Sequence, residues 1–268
     1  MPKIQAGTIS LHYDIFGAGD PLLLIMGFGM PGVAWIPVLP LLTGFKCVYF
    51  DNRGTGNSDR PEGIYTVPAM ADDASALLTA LGIERAKVYG VSMGGMIGQE
   101  LAIRHPDQVT KLVLGCTMSG GAQARMASFD VLEKLIVSVK KMASSPDEAL
   151  ETLIPLLYPP EFVAAHPEIK PMMIAGLAMV PATPPETADR TIAGLMQFNT
   201  WERLPNIKCP TLIVHGELDL LMPPANAEVI KAQIPNSELL MLPGAGHGYW
   251  ASDPVGTHRQ IVDWLKAA

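Results

Sequence analysis

Along residues 1–117, and again along 205–268, short apolar runs rich in β-formers alternate with segments whose apolar residues recur at helical spacing. That alternation leaves few folds open, because parallel strands need a long crossover and a helix is the usual one. Ile9–Phe16, Leu22–Met26, Cys47–Phe50, Lys87–Val91, Lys111–Cys116, Thr211–Val214 and Glu238–Met241 read as strands. Pro68–Leu81, Met93–Arg104, Ala225–Gln233 and Val255–Lys266 read as helices, the first stopped by Gly82. The expected fold is α/β, a mostly parallel twisted sheet flanked by helices on both faces.

Residues 118–204 interrupt the pattern. They carry helix signals at Phe129–Met142 and Ala188–Phe198, proline turns at Pro159-Pro160 and Pro184-Pro185, and no strand signal. A helical cap (118–204) inserted between two strands of a core made of 1–117 and 205–268 is expected. The cap holds Met118, Met126, Met142, Met172, Met173, Met179 and Met196. Such unbranched side chains suit either a loosely specified core or an apolar site that adapts to its ligand, and the core reading is preferred.

Composition narrows the partners. With 49% hydrophobic and only 17% charged residues, the chain is globular rather than disordered. Nineteen basic against 26 acidic residues give a net charge of −7 with no basic run, so neither nucleic acid nor an anionic membrane is expected as a partner. The 25 residues from Pro21 to Phe45 carry no charge and could span a bilayer by length. Four prolines and four glycines within them break any continuous helix, so they read as a buried strand, a tight loop and a short helix. Cys47, Cys116 and Cys209 lie far apart, forming neither a disulfide framework nor a metal-spaced cluster. The N-terminus lacks the basic-then-apolar layout of a signal peptide, and a cytoplasmic protein without metal or cofactor is expected.

Gly90-Val91-Ser92-Met93-Gly94 has the form G-x-S-x-G, follows the apolar run Lys87-Val88-Tyr89 and opens an amphipathic helix. A sharp strand-to-helix turn needs small flanking residues, lifts the serine hydroxyl above the sheet, and aims the first free N–H groups of the helix at the same space. The competing reading is a glycine-rich helix start with an N-capping serine. Two later loops carry His215-Gly216-Glu217-Leu218-Asp219 after one strand and Gly244-Ala245-Gly246-His247 after the next.

On these three motifs, in this order and on these element ends, the chain resembles the α/β-hydrolase fold family along nearly its whole length. The resemblance implies a triad of Ser92, Asp219 and His247, with Glu217 as the fallback acid. Serine is a poor nucleophile until a base takes its proton, which His247 would do, while Asp219 holds the imidazole in the required tautomer. Of the other histidines, His12 falls on an early strand, His105 at a helix end, His166 in the insertion, His215 at a strand end and His258 on a polar helix face. The oxyanion hole implied by the family takes the backbone N–H of Met93 and of Phe28; Met26 stands where relatives often carry histidine. Asp51–Ser58 also resembles a family signature, and its polar side chains read as ties to neighbouring backbone rather than a phosphate site.

The serine at position 92 argues against haloalkane dehalogenase and epoxide hydrolase chemistry, which use aspartate there in this family. The region Pro68–Leu114 is similar to 3-oxoadipate enol-lactonases and small bacterial esterases. Met30, Met118 and Leu220, with Phe28 and Met93, are expected to line an apolar cleft, and only Arg125 and Arg190 in the insertion could meet a substrate carboxylate. The expectation is a hydrolase that cleaves carboxylic esters of small to medium apolar acyl groups through an acyl-enzyme. A lactonase or carbon–carbon bond hydrolase with the same triad is the alternative, and a non-hydrolytic ligand sensor on the same fold is an alternative of another class. Oligomeric state is left open.

Overall fold

The computed structural model describes residues 2–267. Its strands are β1 (Lys3–Ala6), β2 (Ile9–Phe16), β3 (Asp20–Ile25), β4 (Phe45–Phe50), β5 (Ala86–Val91), β6 (Val109–Gly115), β7 (Thr211–Gly216) and β8 (Ser237–Leu242). They form a single sheet in the order β1-β2-β4-β3-β5-β6-β7-β8. The β1/β2 and β2/β4 pairings are antiparallel, and every other pairing is parallel. The helices are α1 (Val67–Ala80), α2 (Met93–Arg104), α3 (Phe129–Lys141), α4 (Pro146–Leu157), α5 (Pro160–Ala165), α6 (Ile169–Leu177), α7 (Pro185–Leu195), α8 (Ala225–Gln233), α9 (Tyr249–Ser252) and α10 (Pro254–Lys266). The uncharged stretch 21–45 runs through β3 and a loop into a 3-10 helix at Gly32–Leu41. No helix among the described residues is long and apolar enough to cross a membrane.

Both faces of the sheet are covered, which is why its central strands read as unbroken apolar runs. Leu23 and Ile25 of β3 join one core with α1, α2 and α8, while Leu22 and Leu24 join the other with the 3-10 helix and α10. The strand period of two sorts adjacent leucines to opposite cores. Helices α3 to α7 all lie between β6 and β7, and α4 centres a separate cluster of Leu150, Leu153, Ile154, Met142 and Tyr158.

Residues 118–204 carry no strand, only an isolated antiparallel bridge between Gly120 and Asn199. Two expectations need correction. Four of the seven methionines (Met126, Met172, Met179 and Met196) are 55–84% exposed, so the preferred core reading fits only Met118, Met142 and the half-buried Met173. His258 is fully buried rather than on a polar face, because Thr257, His258, Ile261, Val262 and Leu265 form the stripe of α10 that meets the sheet. Its Nδ1 donates to the Pro254 carbonyl at 2.8 Å, and burial holds the ring below the usual histidine range.

The loop after β4 ties the architecture to the site. Buried Asp51 accepts from the Gly32 N–H at 2.7 Å, the Asn57 N–H at 2.9 Å and His12 Nδ1 at 2.9 Å, while Asn52 Nδ2 donates to the Met26 carbonyl at 3.1 Å. Arg53 forks onto Asp73 at 2.6 and 2.7 Å. Replacing Asp51 with alanine leaves three donors without a partner. Asp51→Ala is therefore expected to lower the unfolding free energy by roughly 3 kcal/mol in urea titrations. Asp59→Ala, at a carboxylate 42% exposed, should cost about 1 kcal/mol or less. Equal midpoints for the two variants would show that the Asp51 network contributes nothing.

Candidate active site

Gly90 and Gly94 flank Ser92 because nothing larger fits. A Cβ on Gly90 would overlap the Gly94 carbonyl, and one on Gly94 would overlap the carbonyl of Ile25 in β3. Between them Ser92 adopts φ 57° and ψ −121°, a conformation costly for any residue with a side chain. The turn is braced from β6 and the segment after it. The Ser92 N–H donates to the Gly115 carbonyl at 2.8 Å, and the Ser92 carbonyl accepts from Thr117 Oγ1 at 2.8 Å and the Gly95 N–H at 2.9 Å. Ser92 keeps partial solvent exposure and makes no side-chain capping bond to α2, so its hydroxyl is not used as a helix cap.

The loop after β3 lies against this turn, since a Cβ on Gly27 would sit 3.1 Å from Ser92 Cβ. The N–H groups of Phe28 and Met93 have no backbone acceptor among the described residues, Met93 because it opens a helix. Met26 is buried in the core, and its carbonyl is held by Asn52. Asparagine from the β4 loop thus anchors this segment.

Asp219 and His247 meet at the ends of β7 and β8. His247 Nδ1 lies 2.9 Å from Asp219 Oδ2 and 3.1 Å from Oδ1, and both residues are buried. Asp219 Oδ1 also accepts the N–H groups of Leu221 and Met222, each at 2.9 Å. Burial opposes the charged carboxylate, but the charge and hydrogen bonds of His247 and His215 outweigh it and hold Asp219 well below the usual carboxylate range. For His247, burial favours the neutral ring, yet the Asp219 carboxylate prevails and lifts it well above the usual histidine range. Glu217 is exposed and takes no part in these contacts.

His215 is a participant the sequence reading passed over. Its Nε2 sits 2.7 Å from the Met222 carbonyl and 3.3 Å from Asp219 Oδ2. A carbonyl only accepts, so Nε2 carries the proton and also faces the carboxylate; Nδ1 is buried without a partner. The His-x-x-x-Asp spacing across the turn after β7 was the available signal. Cys116, at φ 36°, points its thiol at the His247 carbonyl at 3.3 Å. The Cys116, Asp219 and His247 ligand atoms lie within 4.8 Å of one another. Burial pushes that thiol up, away from thiolate, and the Asp219 oxygens are already committed to His247 and two N–H groups. The donors are partnered with one another rather than arranged around an ion.

Met30, Met118 and Leu220 lie in different surroundings. Met118 packs in the core beside α2, Met30 leans on the opposite core, and Leu220 is 52% exposed. None of them lines the cavity of about 250 Å³ between the cap and the loop after β3. Arg190 donates to the Pro61 carbonyl at 2.6 Å and lies over the Tyr65 ring, which occupies it at the seam between cap and core. Arg125 is exposed, with its backbone held by Asn226.

Residues 20–153 match the model of the alpha/beta hydrolase fold family. Over 261 residues the chain is 31% identical to "Putative carbamate hydrolase RutD" of Azorhizobium caulinodans, covering 95% of this chain and 94% of that one. The chain belongs to the α/β-hydrolase fold family. This α/β hydrolase matches the thermophilic esterase of Thermogutta terrifontis with a TM-score of 0.80 at 28% identity, over 99% of this chain and 97% of that one. It matches the enol-lactonase of Burkholderia xenovorans with a TM-score of 0.85 at 24% identity, over 99% and 100%, a likeness of fold.

The His247–Asp219 couple makes a prediction independent of substrate. In an NMR titration the His247 ring is expected to lose its proton above the ordinary histidine value, and Asp219→Asn should lower that value, because the carboxylate then no longer offsets burial. The stability that the raised value confers is complete below the ordinary histidine value and disappears as pH rises through the value in the folded chain. A His247 titration unmoved by Asp219→Asn would mean the carboxylate does not control the ring.

Proposed function

We propose that this α/β hydrolase cleaves uncharged carboxylic esters of small to medium acyl groups through a covalent acyl-enzyme on Ser92. The observation that carries the reading is the buried Asp219–His247 couple at 2.9 Å, at the same sheet edge as the strained, partly exposed Ser92. In the neutral form of the ring, Asp219 holds the remaining proton on Nδ1 and Nε2 is the nitrogen free to act as base. In the proposed cycle His247 takes the Ser92 proton as Oγ attacks the carbonyl carbon. The N–H groups of Phe28 and Met93 receive the charge that develops on oxygen. Collapse of the tetrahedral intermediate breaks the bond to the alcohol, which leaves with the proton from His247. Water, deprotonated by the same ring, then releases the acid and restores Ser92.

Three features support an uncharged substrate. Arg190 is engaged at the cap seam, Arg125 is exposed, and the cavity beside the loop after β3 has no ionisable lining. Similarity to an esterase at 28% identity agrees with this reading. Similarity to a putative carbamate hydrolase adds a second candidate, since a carbamate is an acyl compound open to the same attack.

Stopped-flow hydrolysis of p-nitrophenyl acetate, butyrate and octanoate, and of a p-nitrophenyl carbamate, tests the proposal. A burst followed by turnover is expected, with Ser92→Ala lowering kcat by on the order of a millionfold. Asp219→Asn should cost roughly ten-thousandfold. Glu217→Gln should change little. A loss of only a few fold in Ser92→Ala would remove Ser92 as nucleophile, and a larger loss in Glu217→Gln than in Asp219→Asn would reassign the acid. A burst without turnover would favour a sensor.

A further inference from the structure

His247 has a glycine on either side, and neither Gly246 nor Gly248 adopts the left-handed backbone that usually calls for that residue. Space explains them instead. A Cβ on Gly246 would meet the Leu157 carbonyl oxygen at 2.6 Å and Pro159 Cδ at 3.2 Å, and one on Gly248 would overlap the Tyr158 ring. All three neighbours belong to the cap, at the carboxyl end of α4. The approach is also a bond, since the Gly248 N–H donates to the Leu157 carbonyl at 2.8 Å. That carbonyl is among the last of α4, which a helix leaves without an internal partner. The cap side of the contact is stiff. Tyr158 is buried in the α4 cluster and stacked on Phe162 with ring centroids 5.2 Å apart, and Pro159 and Pro160 fix the chain direction beyond it. The loop side is not, because glycine loses more freedom on ordering than any other residue.

We propose that the cap segment Leu157–Pro159 positions His247, with Tyr158 as the side chain that sets where its loop comes to rest; the assignment rests on the acyl-enzyme reading above, in which His247 serves Ser92. The core holds the same loop elsewhere. The Leu218 N–H donates to the Ala245 carbonyl at 2.8 Å, the Cys116 thiol to the His247 carbonyl at 3.3 Å, and the Tyr249 hydroxyl meets that of Tyr89 at 2.6 Å. None of these takes up the N–H that follows His247 or walls the two glycines, and the cap does both. The bond to Asp219 fixes one nitrogen of the ring. The reach of the other toward Ser92 follows from where the loop backbone lies, and a displacement of about 1 Å can cost on the order of a hundredfold in rate. The cap thereby enters the acid–base machinery as well as covering it.

Gly248→Ala drives a methyl group into the Tyr158 ring, and Tyr158→Ala removes the ring. Leu153→Ala is the control, since Leu153 is buried in the same α4 cluster and is not among the groups that meet Gly246 or Gly248. Each variant is checked for folding by circular dichroism. With p-nitrophenyl acetate, Gly248→Ala and Tyr158→Ala are each expected to lower kcat by about tenfold or more while KM stays within about threefold. The double variant should be no slower than the slower single one, because the methyl group then occupies the space of the ring. Leu153→Ala should keep kcat within about twofold. In an NMR titration Tyr158→Ala is expected to lower the pH at which His247 loses its proton, as the freed loop lets the ring drift from Asp219, and Leu153→Ala should leave it unmoved. If esters are turned over through Ser92 but Gly248→Ala and Tyr158→Ala keep full kcat, or Leu153→Ala matches their loss, the positioning role falls and the ester reading stands. If no ester is hydrolysed while the titration moves in Tyr158→Ala and not in Leu153→Ala, the hold of the cap on His247 stands and the ester reading falls. No turnover together with an unmoved titration overturns both.

Discussion

Ser92 is held in a backbone conformation that costs on the order of 1–3 kcal/mol, and the sheet around it is built to keep it there. Bonds to Gly115 and Thr117 brace the turn from the neighbouring strand and the segment beyond it, and both flanking glycines are forced by carbonyls that approach too closely for a side chain. Cys116, one residue past β6, is strained too, with its N–H bonded to Val214 of β7 at 2.8 Å. Strain therefore runs along one edge of the sheet, where successive parallel strands end. Parallel order makes that edge a common address. The loops after β3, β5, β6, β7 and β8 bring Phe28, Ser92, Cys116, Asp219 and His247 to it from five separate stretches of chain.

Electrostatics at that edge follows from a single buried anion. Asp219 stays charged because two N–H groups, His247 and the proton on His215 Nε2 all face its oxygens. Its field in turn lifts His247, so acid and base are set as a pair rather than separately. Sharing Asp219 between two histidines gives each a different task. His247 meets the acid from the loop after β8, and His215 ties the acid loop to the Met222 carbonyl.

Much of this was legible in the residue order. The bounds of α2 and α8, Met93–Arg104 and Ala225–Gln233, were readable from helical spacing, and β3 showed its double burial as an uncharged run. Asp219 is preferred to Glu217 through the family resemblance rather than through its own spacing, and it is Asp219 that lies within hydrogen-bond distance of His247. What escaped the sequence depends on which surfaces meet. The polar character of the neighbours of His258 hid a stripe on α10 that faces the sheet. Met126, in the coil before α3, and Met196, just past the end of α7, have the composition of core residues but lie exposed. Leu220, placed in the cleft by its nearness to Asp219 along the chain, turns outward while Asp219 turns in. Cavity walls such as Ile174 and Val180 sit far from any motif, and only the packing of α6 against the loop after β3 makes them neighbours of Gly29.

The two roots of the cap are themselves bonded partners. Thr200 donates to the Ser119 carbonyl and to Gln99 of α2, Gln99 donates to the Met118 carbonyl, and Gly120 bridges Asn199. Seen from the sheet, residues 121–198 leave and return through a gap no wider than a hairpin. The closure entropy of such an excursion grows only with the logarithm of its length, so segments can be added or lost there at little cost to the strands below. Natural variation can accordingly reshape most of the cap while the strained serine and the Asp219–His247 couple beneath it stay as they are.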